Sequence, residues 1–330
     1  MKDILNRLIN NQVLSREESR KVLTGLAKGQ FNDSQVASFL TIYLMRAITV
    51  QELEGFRDAM LELCNPVDLD EYDTIDVCGT GGDSKNTFNI STISSFIVAG
   101  AGVNVAKHGN YGVSSISGSS NVLEVLGVRF SDNVERMKRS MDVSGICFMH
   151  APLFHPAMKN VGPIRKQLGI KTFFNMLGPM VNPAFPPNQL VGVFSLELAR
   201  LYGYLYQNTD KNFSIIYTLD GYDEISLTGD FKLISNSTET IISPELIGFN
   251  QLNEAELHGG KTVNDAAEIF QTILSNNGNE SQNAVVLANA GLAISTVWQK
   301  PILDGIEEAR ISLESGRALQ SFKDFLSVNS

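Results

Sequence analysis

Thr74-Ile-Asp-Val-Cys-Gly-Thr-Gly-Gly-Asp-Ser-Lys-Asn-Thr-Phe-Asn-Ile-Ser-Thr92 is the stretch on which the reading of this chain turns. Thr74–Cys78 is short and rich in β-prone residues, so it reads as a strand. Glycines at 79, 81 and 82 then break any regular element, and Asp83 opens a run of hydroxyl and amide side chains. The apolar Ile93–Ala99 that follows reads as a helix. A strand, a glycine turn and a helix N-terminus bring free backbone N–H groups together and aim the helix dipole at one point. That is a phosphate cradle. The spacing is neither GxGxxG nor GxxxxGK[ST], which removes support for dinucleotide or P-loop readings. On the glycines alone, a tight turn before a capped helix explains the stretch as well.

The 330 residues are 43% hydrophobic, enough for a full core in one or two domains. A net charge of −10 argues against a general nucleic-acid or anionic-membrane binder, because both need a basic face. An anionic small ligand stays possible if its cations are local. Cys64, Cys78 and Cys147 are widely spaced with no CxxC, which predicts neither a disulfide framework nor a cysteine metal site. No signal-peptide pattern and no bilayer-length apolar run is visible, so the expectation is a cytoplasmic protein without a membrane partner.

Outward from the glycine stretch, the N-terminal 65 residues read as four helices. Ile4, Leu5, Leu8, Ile9 and Leu14 form an apolar stripe, and Ser15-Arg-Glu-Glu18 is a capping box. An Asn32-Asp33-Ser34 cap precedes a helix over 35–46, and Thr49 caps one over 50–64, ended by Asn65-Pro66. Nothing there looks catalytic, and such a group suits a scaffold or an oligomer contact. From about residue 72, strands alternate with helices: strands are expected at 74–78, 103–106, 145–149, 190–194, 213–217 and 231–235. Long helices are expected at 283–296 and 305–316. This predicts an α/β fold: a small all-helical N-terminal domain over 1–70, completed by helices from about 165–185. The larger α/β domain over 71–330 would have a mostly parallel central sheet flanked by helices, with ligands at the C-terminal ends of the strands.

Several constellations bear on chemistry. Lys107-His108-Gly109-Asn110 follows directly on a strand, so Lys107 offers a cation to phosphate, and His108 is either a structural histidine or part of the same crevice. Gly112 to Ser120 is a second run of small residues. Asp223-Glu224, delivered by the strand over 213–217, is either a solvated turn or a Mg²⁺ platform that uses few carboxylates, several waters and substrate oxygens. Arg165 offers a planar fork for a carboxylate, or simply lies on a surface helix. Thr172 to Pro179 is too apolar for a loop and reads as a packed helix ending at Gly178-Pro179. The histidines lack the local context of a catalytic triad.

Taken together, GTGGD at 79–83, NIST at 89–92, KHGN at 107–110, SGS at 117–119, HPAMK at 155–159, the Arg165 helix, FNMLGPMVNPA at 174–184, DGYDEIS at 220–226 and SGRAL at 315–319 resemble the anthranilate phosphoribosyltransferase family of tryptophan biosynthesis. The resemblance spans essentially the whole chain. It implies transfer of a phosphoribosyl group from phosphoribosyl pyrophosphate to anthranilate, with two Mg²⁺ ions per subunit and a homodimer formed through the helical domain. By matching position, it implies that Gly79, Gly82, Asp83, Thr87, Asn89, Ile90, Ser91, Thr92, Lys107, Ser115 and Ser119 hold phosphoribosyl pyrophosphate. Gly79, Asn110 and Arg165 would contact anthranilate, and Ser91, Asp223 and Glu224 would serve magnesium. No obligatory base is assigned, and His108 and His155 remain wall or proton-relay groups. The chain departs from the family where Tyr111-Gly112 follow Asn110 and where Ile116 stands in place of a frequent arginine. Two rival readings are a pyrimidine nucleoside phosphorylase, which would not need the Asp223-Glu224 platform, and a non-catalytic nucleic-acid-binding relative, which the charge balance disfavours.

Overall fold

The computed structural model describes residues 1–112 and 116–330, and the chain forms two compact units. One unit joins Met1–Pro66 to Ala151–Phe185, and the other joins Val67–His150 to Pro186–Ser330. The chain thus leaves the helical unit four residues before the expected boundary at 70, and the returning segment begins at Ala151 rather than near 165.

The helical unit starts with helices Lys2–Ile9, Arg16–Ala27, Asp33–Met45 and Val50–Glu62. Reciprocal capping boxes at Ser15/Glu18, Asn32/Gln35 and Thr49/Glu52 start the last three, satisfying N–H groups that a helix cannot pair internally. The returning segment adds helices Ala151–Phe154, Met158–Leu168 and Phe174–Leu177. Phe173 is what ties it in: its ring stacks on Phe56 at 4.4 Å and meets Phe39 and Tyr43 edge-on at 6.0 and 5.3 Å. Burying four aromatic rings in such offset and edge-to-face contacts explains why the Thr172–Pro179 stretch is so apolar.

A carboxylate sits inside this unit. Glu52 is fully buried and accepts hydrogen bonds from Leu14 N at 3.0 Å, Tyr43 OH at 2.9 Å, Thr49 N at 3.0 Å and Thr49 Oγ1 at 2.9 Å. It also pairs with the Arg46 guanidinium. Burial works to raise the Glu52 pKa, but the Arg46 guanidinium and the surrounding donors outweigh it, and the net shift is downward.

In the α/β unit the strands are β1 (Thr74–Gly79), β2 (Asn104–Gly109), β3 (Ile146–His150), β4 (Asn188–Gly192), β5 (Asn212–Thr218), β6 (Phe231–Ser235) and β7 (Glu239–Ile242). Among the described residues they form one sheet in the order β3-β2-β1-β4-β5-β6-β7. The pairs from β3 through β5 are parallel, while β5–β6 and β6–β7 are antiparallel. The mostly parallel α/β architecture with a separate helical unit therefore matches the expectation. The expected strand at 103–106 runs on to Gly109, so Lys107 and His108 lie within the ladder, opposite Phe148 and Met149. Strand β7, absent from the sequence reading, is an exposed edge of mixed polarity with no buried face to produce alternation.

Helix Glu280–Trp298 is buried on nearly every side, from Val285 through Thr296. It packs against helices Ile90–Gly100 and Ile302–Glu314. Phe96, Phe270, Phe322 and Phe325 close the core, with Phe96 edge-on to the other three at 5.9, 5.1 and 5.4 Å. This packing holds Ile90–Gly100, and with it the glycine turn, against the end of β1. Among the described residues, no helix is long and apolar enough to cross a membrane.

Because the folded state depresses the Glu52 pKa, Glu52 contributes stability above the ordinary carboxyl value of about 4.3 and loses it as pH falls through the lower folded value. Glu52→Gln is expected to destabilise the helical unit by about 3 kcal/mol, since it leaves the Arg46 charge without its buried partner. Thermal melts from pH 7 down to pH 3 should show the variant melting earlier at neutral pH and losing less on acidification than the parent.

Candidate active site

The C-terminal ends of β1, β4 and β5 converge on one polar region. Beyond β1 the backbone turns through Gly81 and Gly82 at φ +65° and +81°, left-handed values that side-chain-bearing residues rarely adopt. Thr80 N donates to Gly192 O at 2.9 Å, stitching the turn to the end of β4. The peptide then crosses to Asn89, the N-cap of helix Ile90–Gly100. Asn89 does not cap with its side chain. Its Nδ2 donates to Ser117 O at 3.1 Å instead, linking the first small-residue loop to the second.

Beyond β5, a turn closed by Gly221 N donating to Thr218 O at 2.8 Å presents Asp223 and Glu224. Gly81 N donates to Asp223 Oδ2 at 2.6 Å, and Ser91 N donates to Glu224 Oε1 at 3.4 Å. The pair is therefore no solvated turn. The glycine turn and the helix N-terminus both face these carboxylates. Asn289, which the sequence reading passed over, fixes the next residue: it accepts from Ile225 N at 3.1 Å and donates to Ile225 O at 2.8 Å. An asparagine inside an otherwise apolar helical run is the signal that could have drawn attention to it, because buried amides need partners.

Burial raises the Asp223 pKa, and the neighbouring Asp83 charge adds to the effect. Burial likewise raises Glu224, with Asp223 adding to the shift and Lys107 opposing it. Both carboxylates are thus poorly solvated and lie beside further negative charge, a state that an added cation would relieve. Among the described residues, no three His, Cys, Asp or Glu side chains come together as a ready-made metal cage. A buried carboxylate beside a half-buried one fits a Mg²⁺ ion completed by water and substrate oxygens, which needs no such cage.

Lys107 does not reach outward from a loop. It is buried, its Nζ donates to Val77 O at 2.5 Å, and burial pulls its pKa down against the raising influence of Asp76, Cys78 and Glu224. Its charge lies inside the unit, on the side of the acidic pair. His108 is also buried, with its N–H donating to Asp76 Oδ1 at 3.3 Å. The Ile90 and Thr92 side chains point into the core, so these two residues offer a ligand only backbone groups. Thr87 forms an antiparallel bridge with His258, and Asp83 Oδ1 accepts from Lys85 N at 3.0 Å. The segment Glu254–Gly260, to which the sequence reading gave no part, is the second strut of this loop: Phe88 N donates to Leu257 O at 3.1 Å and Gly259 N to Asn86 O at 2.8 Å.

Asn110 ends the β2 loop and is exposed, and its carbonyl accepts from Ser120 N at 3.1 Å and Ser119 Oγ at 3.3 Å. Ser115 lies outside the described residues. Gly79 faces Asp223 directly, since a Cβ there would lie 3.0 Å from Asp223 Cγ and 3.1 Å from its carbonyl oxygen.

Two of the singled-out residues belong to the helical unit. Arg165, in the last turn of helix Met158–Leu168, donates to Asn175 Oδ1 at 3.3 Å and lies over the Phe174 ring at 5.1 Å. Burial lowers its pKa. His155 is buried, and that burial, against a hydrogen bond to the Val181 backbone, takes its pKa down to about 4, leaving it neutral near pH 7.

Comparison with known proteins shows the family of both units. The family model described as "Glycosyl transferase family, a/b domain" matches residues 71–319, and the "Glycosyl transferase family, helical bundle domain" matches 2–64. The chain is 60% identical to an anthranilate phosphoribosyltransferase of Christiangramia forsetii, over 98% of both proteins. It is 53% identical to that of Bacteroides fragilis over the full length of each. Among solved structures, the anthranilate phosphoribosyltransferase of Thermus thermophilus superposes with a TM-score of 0.91 at 29% identity, covering 98% of each chain. The Saccharomyces cerevisiae enzyme in complex with PRPP and Mg superposes with a TM-score of 0.90 at 26% identity, covering 98% of this chain and 96% of that one. With both units matched and relatives this similar over nearly the whole length, the chain belongs to the anthranilate phosphoribosyltransferase family.

Proposed function

We propose that this protein transfers the phosphoribosyl group of 5-phosphoribosyl 1-pyrophosphate to the amine of anthranilate in tryptophan biosynthesis. The products are N-(5-phosphoribosyl)-anthranilate and pyrophosphate. The observation that carries the reading is the meeting of the glycine turn, the Ser91 amide and the Asp223-Glu224 pair, Asp223 buried and Glu224 half-buried, at the ends of β1, β4 and β5. That combination suits a polyanionic leaving group escorted by a divalent cation. A yeast relative has been solved with PRPP and Mg, and again with 4-fluoroanthranilate.

Asp223, Glu224 and Ser91 are the residues we assign to hold two Mg²⁺ ions, which would supply positive charge to the departing pyrophosphate. The remaining work belongs to the chain itself. Backbone amides of Gly82 and of Asn89 to Thr92, with Asp83, Thr87, Gly79, Lys107 and Ser119, are assigned to phosphoribosyl pyrophosphate. Lys107 acts from inside the sheet, as a fixed positive charge behind the site, and not as a direct phosphate ligand reaching from a loop. The Gly81 amide orients Asp223, and the Ser91 amide orients Glu224. C1 of the ribose passes through an oxocarbenium-like state comparable to that of glycoside cleavage. The aromatic amine is nucleophilic without deprotonation, so holding it in line accounts for much of the acceleration. Toward anthranilate we assign Arg165, together with Asn110 and Gly79. The Asn175 bond and the Phe174 ring already orient the Arg165 guanidinium, so its fork loses little freedom on taking a carboxylate. His155, neutral and buried, serves as a wall.

We further propose a homodimer formed through the helical unit. Ile9 and Val13 are 65% and 50% exposed, and Leu44 and Met45 are 44% and 83% exposed, an unusual concentration of bare apolar side chains on one small unit.

Loss of anthranilate fluorescence with phosphoribosyl pyrophosphate, with Mg²⁺ and then with a chelator, tests the reaction. Turnover should require the metal, and turnover of pyrimidine nucleosides with phosphate in its place would overturn the reading. Asp223→Asn combined with Glu224→Gln should lower kcat by about 100-fold or more while leaving the melting temperature unchanged or higher, because it removes two adjacent, poorly solvated acidic groups. Arg165→Ala is expected to raise KM for anthranilate by about tenfold or more, the loss of one charge-assisted pair, with KM for phosphoribosyl pyrophosphate unaltered. Light scattering should give twice the chain mass for the parent, and Met45→Glu should halve it.

A further inference from the structure

Gly192, at the end of β4, is not among the residues assigned above, yet it lies against the proposed metal platform. A Cβ built on it would fall inside the van der Waals surface of the Asp223 carbonyl oxygen and carbon, and 3.3 Å from the Asp223 α-carbon. The neighbouring atoms are backbone, which cannot rotate aside as a flexible side chain would.

Neither partner in this contact is free to yield. The Gly192 backbone pairs with Ile216 in the β4–β5 ladder, its carbonyl accepts Thr80 N at 2.9 Å, and the next residue, Val193, donates from its N–H to Ile216 O at 2.9 Å. The Asp223 segment is fastened on both sides of the contact. Thr218 N donates to Tyr222 O at 3.2 Å, Thr218 Oγ1 donates to Glu224 O at 2.5 Å, and Asn289 holds both backbone groups of Ile225. Asp223 can lie where Gly81 N meets its Oδ2 only because β4 ends in a residue with no side chain. Gly79 of β1 likewise leaves room for Asp223, chiefly for its side chain, whose Cγ would lie 3.0 Å from a Cβ there. Two adjacent parallel strands therefore end in glycines that face one aspartate, and the carboxylate is set by backbone-to-backbone contact rather than by side-chain packing.

We propose that Gly192 is a positioning residue for the metal-binding carboxylate: it sets the depth at which Asp223 sits over the strand ends, and through Asp223 it sets the affinity for the divalent cation. This rests on the assignment of Asp223 to the metal. It predicts a coupled effect. Any side chain at 192 lifts the Asp223 backbone, breaks the Gly81–Asp223 bond and moves a metal ligand, while the outer parts of the fold are untouched.

The test is Mn²⁺ binding in the presence of inorganic pyrophosphate, read from the paramagnetic resonance of the free ion, with circular dichroism as the check on folding. Gly192→Ala should weaken Mn²⁺ binding by about tenfold or more, the usual cost of disturbing the support of a metal ligand. In an Asp223→Asn background the same substitution should cost nothing further, because its only route to the metal is gone. Gly203→Ala, where a Cβ would meet only the Ile234 side chain at 3.6 Å, should bind Mn²⁺ as the parent does. Should Gly192→Ala fail to fold, Gly79→Ala carries the same readout, since it meets the side chain of the same aspartate. Parent-like Mn²⁺ binding by the folded glycine variant, or an equal loss in both backgrounds, overturns the positioning role alone. Absence of Mn²⁺ binding by the parent protein overturns the metal assignment and this role with it.

Discussion

Two adjacent carboxylates drawn away from water, Asp223 buried and Glu224 half-buried, are the costly feature around which the α/β unit is arranged. Burial raises the pKa of both, with the Asp83 charge adding to the rise at Asp223 and the Asp223 charge adding to it at Glu224. Such a pair persists only when the surrounding structure over-determines it. Here the surroundings are backbone N–H groups from the glycine turn and the helix N-terminus, the buried Lys107 charge, and the Asn289 clamp on Ile225. Each comes from a different part of the chain, and the parallel sheet is what brings their ends together. A fold in which ligands gather at the C-terminal ends of parallel strands supplies such convergence without special loops.

The helical unit solves a related problem in the opposite way. Glu52 is as buried as Asp223, but Arg46 and four further donors satisfy it, and its pKa is depressed where those of the acidic pair are raised. A carboxylate surrounded by a cation and several donors fixes geometry, whereas adjacent carboxylates that each accept a backbone N–H keep capacity for a ligand. The contrast between the two within one chain separates structural from functional burial on physical grounds. The aromatic cluster of Phe39, Tyr43, Phe56 and Phe173 does the rest by fastening the returning segment that carries Arg165 and His155.

The overall charge of −10 and the proposed polyanionic substrate are compatible because the relevant charges are local. Lys107 is held within the sheet rather than at the surface. Its stem is buried and its ammonium bound to Val77 O, so it keeps a fixed position behind the acidic pair. Backbone amides supply the remaining positive potential, and they carry no net charge to betray themselves in composition.

Local chemistry is what the sequence by itself determined. Caps at Ser15, Asn32 and Thr49 mark helix starts to within two residues, because the cap is a contact between residues three apart. The glycine turn after β1 and the alternation of strands and helices announce an α/β sheet, since both are written in short-range backbone preferences. Tertiary structure alone decided everything that depends on a neighbour distant in the chain. Lys107 points inward because β2 runs on to Gly109, paired with β3. Asn289 touches Ile225 although the two are 64 positions apart in the chain. Glu254–Gly260 braces the loop after Asp83, and Gly192 meets Asp223, with nothing in either local sequence to announce it. Capping and turn preferences act between adjacent residues and can be read along the chain, whereas close approach between strand ends exists only once the sheet has formed.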